Sequence, residues 1–321
     1  MKNNKIRTAE FVTPRHPDKI CDHIADSILD AYLKKDKESR VAIEVMGGHG
    51  LITLNGEVTS QAKPNIEKIV RNIVGVNYKI ISNIVAQSRE ISRGVDTGGA
   101  GDQGIMKGYA TSETESLMPL EYELARNLCL KVFAKYPYDG KTQVTLEGNK
   151  IKTVVVSFQN TKNADLLPFV KNIIKADEYL LNPSGEWLQG GFEADTGLSG
   201  RKLIVDNYGP EITIGGGSFS GKDYTKVDRS GAYLARKIAV DYLQKYKAKE
   251  VYTKLAYAIG KAEPVMAVAV VVYSDQTQRE FDIKDYDLTP KGIRKLLKLD
   301  KLKMTTTSDW GHFGRGFEWD K

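Results

Sequence analysis

Three stretches of this chain combine the groups that polyphosphate chemistry needs. The first is Arg15-His16-Pro17-Asp18-Lys19 and the second is Gly98-Gly99-Ala100-Gly101-Asp102-Gln103-Gly104. The third runs from Gly215 to Asp228 and carries Lys222, Asp223, Lys226 and Asp228 among its glycines and serines. Glycine lets backbone come close to a ligand, and a helix N-terminus offers free N–H groups to phosphate. Lysine and arginine neutralise polyphosphate. Magnesium is held by one or two carboxylates plus phosphate oxygens. Each group alone has an ordinary reading. Asp18 could be a charge at a helix start, Asp102 an Asx turn, and the Asp-Lys neighbours solvated surface. Their joint presence ahead of three helical segments is the signal.

Two familiar phosphate motifs nearly match, and both fail. Gly99-Ala-Gly-Asp-Gln-Gly104 fits G-x-G-x-x-G, but a dinucleotide fingerprint needs a buried strand before it and a helix after it. Ser92–Thr97 is not such a strand, and Ile105–Ser112 has no helical stripe. Gly216–Lys222 fits G-x-x-x-x-G-K, but Asp223 stands where a hydroxyl should ligate magnesium. A lysine-bearing glycine loop remains, without a Rossmann or P-loop fold.

Composition narrows the class. The chain has 321 residues, 41% hydrophobic and 27% charged, which excludes wholesale disorder. Length alone suggests about two domains. The excess of 47 Lys and Arg over 41 Asp and Glu is mild and spread out, unlike the concentrated patch of a nucleic-acid binder. The dense run Lys291–Lys303 reads as a helix with Ile293, Leu296, Leu297 and Leu299 on a buried face. The longest apolar run, Val265–Tyr273, is far short of the ~20 residues of a membrane span. The polar start lacks the apolar core of a signal peptide. Two cysteines, Cys21 and Cys129, suggest free thiols in a reducing cytoplasm rather than a disulfide framework.

The elements that must carry these loops follow from periodicity. Helices are predicted at about 17–33, 119–134 and 228–246. In the first, Ile20, Ile24, Ile28 and Tyr32 form the apolar stripe and Asp22, Asp26 and Asp30 a polar face. Each helix is followed by a predicted hairpin: 41–46 with 51–54, 143–146 with 152–158, and 254–259 with 265–273. A further helix follows each hairpin, at 64–74, 166–174 and 290–299. The expected fold class is therefore α+β, built from three helix–hairpin–helix units around a shared interior. The alternative is one α+β domain in which the recurring order is coincidence.

Together these segments resemble the S-adenosylmethionine synthetases (methionine adenosyltransferases). The resemblance rests on His16-Pro-Asp-Lys-Ile20, Gly56-Glu57-Val-Thr59, Gly99–Gly104 with Gly108-Tyr-Ala-Thr111, and Asn182-Pro-Ser-Gly185. It continues through Thr196–Lys202, Gly215–Asp228, Tyr257–Gly260 with Ala262-Glu-Pro264, and Gly311–Arg315. It implies three similar domains with pseudo-threefold symmetry, divided here as 1–97, 98–189 and 190–321. It also implies the reaction. The sulfur of methionine attacks C5′ of ATP, triphosphate leaves, and the triphosphate is hydrolysed to phosphate and pyrophosphate. Attack at carbon with a polyanionic leaving group calls for electrostatic preorganisation and in-line positioning.

The resemblance also implies roles, residue by residue. His16 matches a histidine near the leaving O5′, positive or hydrogen-bonding. Asp18 and Asp228 match ligands of two Mg²⁺ ions, and Glu44 a K⁺ ligand. Lys141 matches a phosphate-contacting lysine, with Asp139 on the nucleoside. Arg201, Lys202, Lys222 and Lys226 match the triphosphate clamp, so that five cations, with His16 a sixth, face one triphosphate. Glu57, Gln87 and Asp102 match the methionine site, shared with Lys226. Trp187 stands where an aromatic, usually Phe, lies against adenine, and Asp195 matches a residue near both substrates. His23, His49 and His312 receive no role. Taken singly, each charge reads as solvated surface and Trp187 as a core aromatic.

The chain departs from the family pattern in places. Pro14-Arg15 replaces the usual Glu-Gly, and the gate from Gln87 to Gly99 is several residues shorter. The resemblance implies a cytoplasmic homodimer with shared active sites, or a tetramer, meeting through flat apolar sheet faces and binding neither nucleic acid nor membrane. The other functional readings are a non-catalytic ATP- or polyphosphate-binding relative and a tripolyphosphatase that ignores methionine.

Overall fold

The computed structural model describes residues 5–88 and 98–321. Among the described residues, twelve strands form three four-stranded sheets. In chain order the chief elements are β1 (Ile6–Val12), α1 (Pro17–Leu33), β2 (Arg40–Gly48), β3 (Leu51–Thr59), α2 (Ile66–Val74) and β4 (Lys79–Val85). Next come β5 (Gly104–Thr111), α3 (Leu120–Lys135), β6 (Gly140–Glu147), β7 (Lys150–Phe158), α4 (Asn163–Ile173), β8 (Glu178–Leu181) and β9 (Gly197–Leu198). The last are α5 (Val227–Lys245), β10 (Glu250–Tyr257), β11 (Met266–Val272), β12 (Gln278–Asp282) and α6 (Pro290–Leu296). The helix–hairpin–helix unit therefore occurs three times. The predicted helix over 290–299 is shorter than expected. It ends at Leu296, and Lys298 turns left-handed (φ 51°) before a 3₁₀ turn. Ile293, Leu297 and Leu299 are buried, while Leu296 is exposed.

The three units are interlocked. Their sheets have the strand orders β1-β6-β7-β8, β12-β11-β10-β5 and β4-β3-β2-β9. Thus β1, ahead of the first long helix, pairs antiparallel with β6 of the second hairpin, from Ile6–Glu147 to Val12–Lys141. The strand ahead of the second helix, β5, completes the third hairpin, and β9 completes the first. Each hairpin borrows an edge strand in a closed cycle of three. Each borrowed strand pairs one edge of a hairpin and becomes the terminal strand of that sheet.

The cycle is not a perfect threefold. Strands β4 and β8 lie parallel to β3 and β7, because α2 and α4 cross over between them. Strand β12 follows β11 directly and is antiparallel.

Ile105–Thr111, which shows no helical stripe, lies in β5. Its Gly108 lies against α5, where a Cβ would sit 2.1 Å from the Ala235 carbonyl oxygen. Any side chain there would push helix and sheet apart.

The long helices α1, α3 and α5 cover the inner faces of the sheets. The core between them includes Ile24, Ile28, Leu128, Val132, Leu234 and Ile238, all buried. Tyr233 stacks on Trp319 at 3.9 Å, and Tyr208 on Phe313 at 4.7 Å. Cys21 and Cys129 are free and buried, and burial raises both thiols.

The aspartate face of α1 corrects a sequence expectation. Asp18, Asp22 and Asp26 are not solvated but about 1% exposed or less. Each accepts a backbone N–H from a loop far along the chain. Asp18 takes Leu198, Asp22 takes Gly200, Asp26 takes Gly221, and Asp30 takes Met304 and Thr305, all at 2.7–3.0 Å. Spacing of four residues puts these carboxylates on one helix face. That face is a ladder that fixes loops.

Candidate active site

The first polar loop ends in a helix cap. Pro17 opens α1, and His16 is its N-cap with extended backbone (φ −60°, ψ 137°). Its Nδ1 accepts the Asp18 N–H at 3.2 Å, so the proton of the neutral ring sits on Nε2. Burial, then Lys202 and Lys141, push His16 down to about 3. Burial and the two ammonium groups disfavour the charged imidazole, and the neutral ring presents a hydrogen-bond donor.

Around His16 lies a first group. The Lys202 ammonium is 2.6 Å from Asp18 Oδ2, and Arg201 Nε is 3.7 Å from Asp18 Oδ1. Burial works against the Asp18 charge. Lys202 and the Leu198 N–H outweigh it and hold the carboxyl below its usual range. Lys141, on β6 and paired with Val12, is exposed and close enough to act on His16 and on Asp139. Asp139 accepts the Gly191 N–H at 2.9 Å and is raised by burial. It lines a small cavity with Arg15, Ile20, Gln159, Gly190 and Gly191. Asp195 is exposed, caps its own Thr196 N–H, and acts electrostatically on His16. Trp187 is half-buried beside this cavity, near Gly190, with its Nε1 donating to Asn182 Oδ1 at 3.2 Å.

A second group lies across the extended stretch Leu198–Gly200. The N–H groups of Leu198 and Gly200 go to α1, while that of Ser199 between them goes to the Val45 carbonyl of β2, and the Ser199 hydroxyl donates to Glu44 Oε2 at 2.5 Å. Glu44, Asp102, Ser218, Lys222 and Asp228 line one open polar cleft of about 560 Å³. Lys222 pairs with Asp228 at 2.7 Å, and burial raises Glu44. Asp102 is exposed and accepts the Gln103 N–H.

The glycine-rich loop is laid along β2. Ile43 donates to the Gly221 carbonyl, and Asp223 to that of Val41. Gly221 has φ +82°, and a Cβ there would stand 2.1 Å from the Ile43 oxygen. Asp223 is fully buried and accepts both the Val41 N–H and Lys226 Nζ, at 2.7 and 2.6 Å. It anchors the loop. Lys226 is thus tied down beside the cleft rather than inside either group.

Glu57 and Gln87 form a separate pair, Gln87 Nε2 donating to Glu57 Oε1 at 3.3 Å. Glu57 stands on the outward face of the β4-β3-β2-β9 sheet. That face is striped rather than flatly apolar, as its cross-strand registers show. One row joins Leu198, Met46, Thr53 and Ile81, the next Glu44, Asn55 and Asn83, and the third Ala42, Glu57 and Val85. Residues 89–97, most of the predicted gate, lie outside the described residues.

Every predicted site residue is therefore placed, in two groups on either side of one stretch, with Trp187, Lys226 and the Glu57–Gln87 pair around them. Sequence reasoning missed Ser199, Asp22, Asp26, Asp206 and Arg229, which hold the loops. The four-residue spacing of aspartates in α1 was the available signal. Among the described residues, no three His, Cys, Asp or Glu side chains converge as a metal site. None of the described helices is long and apolar enough to cross a membrane.

Comparison with known proteins decides the family. The S-adenosylmethionine synthetase N-terminal, central and C-terminal domain profiles match residues 4–95, 97–187 and 189–321. The chain belongs to the S-adenosylmethionine synthetase family. The S-adenosylmethionine synthase of Thermus thermophilus is 39% identical, over all of this chain and 97% of the relative. That alignment spans 382 positions against the 321 here, so the relative carries residues this chain lacks. The S-adenosylmethionine synthase of Mycoplasmopsis pulmonis is 41% identical, covering 98% and 95% of the two chains. A solved structure described as an unusual S-adenosylmethionine synthetase from Campylobacter jejuni superposes with a TM-score of 0.86. It is 32% identical and covers 98% of this chain and 96% of its own.

Proposed function

We propose that this member of the S-adenosylmethionine synthetase family is a methionine adenosyltransferase. The methionine sulfur lone pair forms the S–C5′ bond of S-adenosylmethionine. The C5′–O5′ bond breaks, and triphosphate leaves with its electron pair. Water then splits the triphosphate into phosphate and pyrophosphate. The supporting observation is the cluster of His16, Asp18, Arg201 and Lys202, in a chain that matches the family along its whole length.

Charge develops on O5′ as it leaves, and preorganised donors there lower the barrier most. Neutral His16 offers Nε2–H to that oxygen. Lys141, Arg201, Lys202 and Lys222 hold the triphosphate, joined by Lys226. Asp139 and Asp195 position the nucleoside, and Trp187 covers the adenine. Glu57 and Asp102 receive the methionine ammonium, with Gln87 and Asp195 beside it and Lys226 toward its carboxylate.

The donor set suits magnesium. Asp18 and Asp228 each bring one carboxylate, already facing an ammonium, and phosphate oxygens would complete the shell. Two Mg²⁺ ions so held would neutralise triphosphate charge. Glu44, with the Ser199 and Ser218 hydroxyls nearby, suits K⁺.

The two groups are completed across a homodimer, the outward sheet face of one chain presenting Glu44 and Glu57 to its partner. The thiols of Cys21 and Cys129 fit a cytoplasmic enzyme. The test of the chemical roles is His16→Ala. Turnover should fall about 100-fold or more, with ATP affinity changed far less. An unchanged rate contradicts the role, and a monomer in ultracentrifugation contradicts the shared site.

A further inference from the structure

The stretch 198–206 carries Arg201 and Lys202, yet Arg201 is more than half exposed and neither cation fixes its own backbone. The fixing is done elsewhere. Leu198 and Gly200 are held by Asp18 and Asp22. At the other end, the helical turn Leu203–Asp206 starts straight after Lys202, and the Asp206 N–H closes it on the Lys202 carbonyl at 2.8 Å. Asp206 is buried, and Lys19 Nζ reaches its Oδ1 at 2.5 Å and Asp22 Oδ2 at 3.0 Å. Lys19 is itself about 1% exposed, so its ammonium contacts no substrate from there. The Asp206 carbonyl also accepts the His312 N–H at 2.9 Å, which brings the Gly311–Arg315 motif into the same support.

We propose that Lys19 is a positioning residue for the triphosphate-binding cations. It bridges one carboxylate on a rigid helix, Asp22, to one at the end of the loop, Asp206. Without it, two buried carboxylates face each other, and the loop is the partner free to move away. Arg201 and Lys202 then lose their place although no group that touches substrate has changed. The proposal rests on reading those two residues as triphosphate contacts.

The test is calorimetric binding of inorganic tripolyphosphate, in magnesium buffer, to the full-length protein. Four proteins are compared: wild type, Lys19→Met, Arg201→Ala and the double variant. Lys19→Met should weaken binding about tenfold or more, as small displacements of positioning groups do. In the Arg201→Ala background the same change should cost at least about threefold less, because coupled residues are not additive. A merely structural defect would cost the same in both backgrounds, and that result overturns the proposal. Asp206→Asn keeps the Lys19–Asp22 pair balanced and guards against misfolding of Lys19→Met. It should weaken binding about threefold or more, and wild-type affinity there overturns the proposal as well. If Arg201→Ala itself binds tripolyphosphate like wild type, the triphosphate reading fails, and this inference with it.

Discussion

Asp26 and Arg229 form a two-pronged ion pair in the interior, Nη1 to Oδ1 at 2.7 Å and Nη2 to Oδ2 at 2.8 Å. The same guanidinium donates to the carbonyls of Phe219 and Lys222 and to the Thr307 hydroxyl. Asp26 in turn accepts the Gly221 N–H. One pair thus joins α1, the glycine-rich loop, α5 and the C-terminal segment. Arg229→Met leaves a buried carboxylate without its partner, and should destabilise by about 3–5 kcal/mol. A urea midpoint unchanged from wild type would show that the pair is not needed.

Gly221 should tolerate no side chain. With φ +82° and a Cβ contact of 2.1 Å, Gly221→Ala strains the backbone and forces the loop off β2. The expected cost is about 1–3 kcal/mol, with weaker tripolyphosphate binding because Lys222 moves with it. Calorimetry on the purified variant reads both, and wild-type values for both would contradict the placement of the loop.

His23 makes stability depend on pH. Its hydrogen bond to Asp309 at 3.0 Å raises it above its ordinary value, against burial. The folded form therefore holds the proton more tightly. This contribution is full below the unfolded value of about 6.5 and is lost as pH rises through the folded one. His23 and Asp309 are about one-third exposed, so the effect is small. His23→Gln should lower the melting temperature more at pH 6 than at pH 8. An equal loss at both pH values would mean that the proton is held elsewhere.

Much of this was legible in the sequence, and the failures have physical causes. The helix over Pro17–Leu33 was readable because Ile20, Ile24 and Ile28 keep helical spacing. The hairpins were readable from alternation and from turns such as Gly47–Gly50. Strands β1 and β9 were not, because their partners lie far away in sequence. Ile6 pairs with Glu147, and Leu198 with Met46. Local periodicity carries no trace of such pairing. The aspartate face of α1 misled because amphipathicity assumes water on the polar side, whereas here loop N–H groups take its place. His16 could be read as a helix-start residue, but not as a neutral ring. Its neutrality depends on burial beside Lys141 and Lys202, brought from two other segments.

Removing Lys202 should be felt chiefly at the phosphates. Lys202→Met deletes the ammonium 2.6 Å from Asp18 and should weaken tripolyphosphate binding about tenfold or more, the scale of a charge-assisted contact. The affinity for methionine alone, followed by calorimetry, should stay within about twofold, since uniform weakening is the mark of a lost fold rather than a lost contact. A methionine affinity that falls as steeply would contradict the assignment.

The central claim is that ATP and methionine are joined here and that the triphosphate is then cut. The direct measurement is the stoichiometry of products formed from ATP, L-methionine, Mg²⁺ and K⁺, by mass spectrometry and phosphate analysis. The account predicts S-adenosylmethionine, phosphate and pyrophosphate in equal amounts, and no products when methionine is left out. Phosphate release that ignores methionine, or no S-adenosylmethionine at all, would contradict it.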